Sequence, residues 1–62
     1  MKLIRKRLYG YPGYLNYGFW AIEEKKFWGW KEILTYNDNK EAIEKMNSTL
    51  EQMKAQGYII VN

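Results

Sequence analysis

Tyr17-Gly18-Phe19-Trp20-Ala21-Ile22-Glu23-Glu24-Lys25-Lys26-Phe27-Trp28-Gly29-Trp30-Lys31-Glu32-Ile33-Leu34-Thr35-Tyr36 is the stretch that decides the fold of this chain. Two aromatic-rich runs, 17–22 and 27–36, flank the charged cluster Glu23-Glu24-Lys25-Lys26. Both are dense in the aromatic and β-branched types that suit a pleated surface, and together they read as an antiparallel hairpin. The charged connection lacks the Asn-Gly or Gly-X of a tight two-residue turn. A longer loop built on a type I turn is therefore expected, with Gly29 as a candidate bulge.

Upstream, residues 2–9 alternate basic and apolar types and read as a first strand. Tyr11-Pro12-Gly13-Tyr14 fits a type II turn, Pro setting the second position and Gly supplying the positive φ of the third. The strand that follows is expected over 15–23. Downstream, Asn37-Asp38-Asn39 breaks the pattern. Asp38, with Glu41 three residues on, is a variant of the capping box. From residue 39 to 56 the apolar positions Ala42, Ile43, Met46, Leu50 and Met53 are spaced three and four apart, the stripe of an amphipathic helix. Gly57 is placed for a left-handed cap, and Tyr58-Ile59-Ile60-Val61 makes a short closing strand.

The expected fold is α+β, a single domain over 1–62 with element order β-β-β-α-β. One helix packs on one face of a small, mostly antiparallel sheet. The crossover helix returns the last strand parallel to the first, beside which it is expected to lie.

Composition narrows the function. A chain of 62 residues is near the lower limit for a fold without staples, burying about 60% of its extended surface. With no Cys and no His, disulfides, thiolate chemistry and the commonest general base are absent. Ser48 has no base beside it, and Asp38 is better used as a cap. Glu23 and Glu24 are neighbours on a strand and point to opposite faces. No glycine loop precedes a helix to cradle phosphate. An enzyme is not expected, nor any catalytic residue, metal or cofactor.

Net charge is +3, unevenly spread. Lys2, Arg5, Lys6 and Arg7 precede the first acid, so residues 1–22 carry +4, while six bases and seven acids leave −1 over 23–62. Such a basic end suits an acidic protein, nucleic acid or anionic lipid. No apolar run approaches the 18 or so residues of a membrane span, and no h-region follows the basic start. The expectation is a cytoplasmic protein with no membrane partner.

Pairing the strands about their expected turns sorts side chains by face. One face collects Ile4, Leu8, Tyr17, Phe19, Ala21, Trp30, Leu34 and Tyr36, the better core for the helix stripe. Lys6 and Glu32 fall there too; either they pair at its edge or a bulge shifts the register. The other face collects Leu3, Arg5, Arg7, Tyr9, Trp20, Ile22, Lys31 and Ile33. A single helix of about 17 residues covers one face only. The uncovered side then mixes aromatics and arginines, the usual anchors of an interface. The competing explanation is that so small a protein cannot hide 11 aromatics and that arginine stems blanket the rings. At the hairpin end, one of Phe27 and Trp28 is expected to fold back over the core; the other reading is an exposed tip that probes a pocket.

Phe27-Trp-Gly-Trp-Lys-Glu-Ile-Leu-Thr-Tyr-Asn-Asp-Asn-Lys-Glu-Ala-Ile43 resembles a pattern in short phage and prophage proteins: an aromatic strand ending in Trp-Lys, a short turn, and a helix opening Glu-Ala. In layout the chain is also similar to the small RNA polymerase inhibitors of T7-like phages, through Phe19-Trp20-Ala21 and the Gly57-led last strand. The arginine-bearing last strand of those inhibitors has no counterpart in the uncharged Tyr58–Val61, so their target does not carry over. The resemblance implies a phage setting and the cytoplasm of a host cell.

The resulting expectation is a non-catalytic protein-binding module, an inhibitor or modulator of a host protein. It would bind through Arg5, Arg7, Tyr9, Trp20, Ile22, Trp28 and Lys31. The alternative is a single-stranded nucleic-acid binder using the same face. A homodimer joined through that face is the third possibility.

Overall fold

The computed structural model describes residues 2–10 and 18–61. The elements are β1 (Lys2–Gly10), β2 (Gly18–Lys26), β3 (Gly29–Asn37), α1 (Lys40–Ala55) and β4 (Tyr58–Ile60). They form one four-stranded sheet in the order β3-β2-β1-β4, antiparallel except for the β1–β4 pair. This is the expected α+β arrangement, with the last strand beside the first. The expected type II turn at Tyr11–Tyr14 and the start of the second strand lie outside the described residues.

The helix forms where its apolar stripe predicts. Asn39 caps it: its side-chain oxygen accepts from the Ala42 N–H at 2.8 Å, and its carbonyl accepts the Ile43 N–H at 2.9 Å. Asp38, the expected cap, sits one residue too early to serve that turn. It accepts instead from Trp20 Nε1 at 3.0 Å. At the other end Gly57, with φ +103°, supplies the backbone turn that a side chain would resist, and the chain enters β4. Ile4, Ile22, Met46 and Leu50 form the buried centre, with Ile33, Tyr36, Ile43, Met53 and Ile60 packed around it. The Tyr36 hydroxyl donates to Thr49 Oγ1 at 3.0 Å and ties β3 to the helix.

The hairpin between β2 and β3 departs from expectation. β2 continues through the charged cluster to Lys26, and the chain reverses over Phe27 and Trp28, with Lys26 opposite Gly29. Gly29 takes φ +142°, a conformation costly for any other residue, which lets so short a turn close without Asn-Gly.

Two register features set the faces. Gly10 pairs with Gly18, where a tight turn at Pro12-Gly13 would have placed Leu15. The displacement is odd, and because side chains alternate it moves every β2 residue to the opposite face. Between β2 and β3, Ile22 pairs with Leu34 but Glu23 with Glu32, leaving Ile33 as an extra residue. This bulge turns Ile33 onto the core and Trp30 and Glu32 away from the helix. The placement of Phe19, Ala21 and Trp30 under the helix is thereby corrected, as is that of Trp20, Ile22, Ile33 and Lys31 on the uncovered side.

Candidate partner-binding face

The face that the helix leaves uncovered is built around a carboxylate. Cross-strand pairing aligns Arg5 with Glu23 and Glu23 with Glu32, Arg7 with Ala21, and Tyr9 with Phe19. Glu23 is only 5% exposed. Arg5 Nε donates to its Oε1 at 2.7 Å, and the Tyr9 hydroxyl donates to its Oε2. Burial by itself would raise the carboxyl's pKa. The hydrogen bonds from Tyr9 and Arg5, with the charges of Arg5 and Arg7, outweigh it and hold Glu23 below its ordinary value. The same hydrogen bond, helped by burial and the negative charge of Glu23, pushes the Tyr9 phenol up.

Aromatic rings extend outward from this centre. The Arg5 guanidinium lies over the Trp30 ring, 4.2 Å from its centroid, and Lys25 approaches the same ring at 5.7 Å. Arg7 sits over Tyr9 at 5.5 Å. Tyr9 and Phe19 stack with centroids 5.3 Å apart and planes 19° from parallel. Each contact is worth roughly 0.5–1 kcal/mol at a partly exposed site. Together they fix long side chains that would otherwise sample many rotamers.

Of the residues expected to bind a partner, Arg5, Arg7 and Tyr9 are brought together here. Ile22 is 0% exposed in the core and is out of a partner's reach. Trp20 packs against the core on the helix side, with its indole N–H on Asp38 and Lys6 near its ring. Lys31 also lies on the helix side, opposite Glu24. Trp28 stands apart at the hairpin tip, 61% exposed, beside a fully exposed Phe27. Neither ring is buried over the core, because the turn carries both beyond the last strand pair. Sequence reasoning missed Phe19, Glu23, Lys25 and Trp30. The charges carried only part of the signal. Glu23 is the first acid after a strand carrying Lys2, Arg5, Lys6 and Arg7, and pairing it with a lysine or with an arginine puts it on opposite faces, so cross-strand charge alone does not choose the register.

Among the described residues no group of three or more His, Cys, Asp or Glu is arranged to hold a metal ion. The chain matches no family model, no curated protein and no solved structure.

Proposed function

We propose that this chain is a non-catalytic protein-binding module whose contact surface is the uncovered sheet face, with Arg5, Arg7, Tyr9, Phe19, Lys25 and Trp30 as its anchors. The observation that carries this reading is the Arg5–Glu23–Tyr9 network, which holds arginine and aromatic groups together on the side that the helix does not cover. Binding costs less when anchors are already ordered, and Trp, Tyr and Arg are the residues that most often dominate an interface. Three cations, Arg5, Arg7 and Lys25, against Glu23 and Glu32 favour a partner surface with excess acid. The resemblance of Phe27–Ile43 to short phage proteins fits an inhibitor or modulator of a host protein.

A single-stranded nucleic acid suits the face less well. Bases stack on bare rings, whereas Trp30 is capped by Arg5 and Tyr9 is occupied by Phe19 and Arg7. The deciding experiment is affinity capture followed by titration of the recovered partner. Arg7→Ala should weaken binding about tenfold or more, and Lys45→Ala, on the exposed side of the helix, should leave it unchanged. Equal binding by both variants would refute the assignment of the face, and a dimeric mass in solution would make the partner a second copy of this chain.

A further inference from the structure

The Phe27–Trp28 tip is not used by the sheet face, and it is the most exposed apolar feature among the described residues. Phe27 is fully exposed and Trp28 is 61% exposed, side by side at the apex of the β2–β3 turn. The two cross-strand rows directly behind them, Lys26 with Gly29 and Lys25 with Trp30, contain two lysines and no acid. The third row pairs Glu24 with Lys31, and Glu24 is also engaged by Lys26 at 3.4 Å. Lys2, at the start of β1, belongs to the same end of the sheet. The lysines lie on both sides of the hairpin, Lys25 on the uncovered face and Lys26 and Lys31 on the helix side.

The geometry points to this tip as a contact for an anionic lipid bilayer surface, with the two rings entering the interface and the lysines meeting the headgroups. Three features select that occupant. The tip projects beyond the last strand pair with both rings exposed, which suits entry into a surface that yields. Its lysines lie on both faces of the hairpin, which suits a laterally uniform anionic plane better than a one-sided protein groove. The spacing also fits. With a strand rise of about 3.4 Å per residue, Lys26 and Lys25 stand roughly 3 and 7 Å behind Phe27. A headgroup layer is about 5–7 Å deep on each side of the hydrocarbon. Trp is the residue most at home at that level. Among the described residues no helix is long and apolar enough to cross a membrane, and the contact inferred here is with the surface only. The expectation of no membrane partner rested on the lack of a span, which does not bear on such a contact.

The test is flotation of the intact chain with vesicles of phosphatidylcholine containing about a third phosphatidylserine, beside vesicles of phosphatidylcholine alone, at low and physiological salt. The chain should float with the anionic vesicles, less so as salt rises, and poorly with the neutral ones. Phe27→Ser with Trp28→Ser should abolish flotation while leaving the far-ultraviolet circular dichroism unchanged, since neither ring packs on the core. Lys25→Gln and Lys26→Gln should each reduce partitioning about fivefold. Failure of the intact chain to float at low salt would overturn the proposal. So would unchanged flotation of the double serine variant, which would mean that charge alone suffices. Loss of a protein or oligonucleotide partner by that variant, without any vesicle binding by the intact chain, would reassign the tip to that partner and overturn it equally.

Discussion

Replacing Glu23 with Gln removes one negative charge from a nearly closed site and keeps the side chain's size. The carboxylate accepts two hydrogen bonds, from Arg5 at 2.7 Å and from Tyr9, and charged hydrogen bonds contribute about 1.5–3 kcal/mol each when intact. A fully buried pair broken on one side costs about 3–5 kcal/mol. The Arg5 side chain is 27% exposed, however, and can recover water when its partner is lost. The amide can still accept from Tyr9. We therefore expect a loss of about 2 kcal/mol, which in a chain of this size lowers Tm by about 8–16 °C.

Urea unfolding followed by circular dichroism measures this without depending on the indoles that the face contains. In the Glu23→Gln background, Arg5→Ala should cost less than it does in the parent, by about 1–2 kcal/mol of coupling. Acid titration is an independent check. The folded-state pKa of Glu23 is depressed, so its contribution is fully present above the unfolded value, about 4.3. It is lost as pH falls through the lower native value, and the variant should lack this part of the acid limb. A change below about 0.5 kcal/mol, with additive Arg5→Ala and an unaltered acid limb, would show that the network does not hold the face together.

Ile22→Ala should cost about 2–5 kcal/mol, as expected for a core side chain with no exposure. Leu8→Ala, at a position 50% exposed, should cost under about 1 kcal/mol; equal losses in denaturant titrations would contradict the register. A Cβ at position 18 would stand 2.7 Å from the Tyr9 carbonyl oxygen. That is a backbone atom no rotamer change can move, so Gly18→Ala should destabilise by about 1–3 kcal/mol, and an unchanged midpoint would mean the strands do not approach this closely.

Element order, the helix and its stripe, the Gly57 cap and the placement of β4 beside β1 were all legible in the sequence. Each rests on a local pattern whose period or special residue is independent of distant contacts. The membership of the two sheet faces was not legible, since it depends on parity and a sheet side chain has only two choices. One odd change in the β1–β2 pairing and one extra residue at Ile33 exchanged Trp20 and Ile22 for Phe19, Ala21 and Trp30. Residues of similar hydrophobicity stand on both sides, so composition could not detect the exchange. Tertiary structure decided it. Only one pairing lets the helix stripe close over Ile4 and Ile22 while Glu23 finds Arg5 and Tyr9 across the strands.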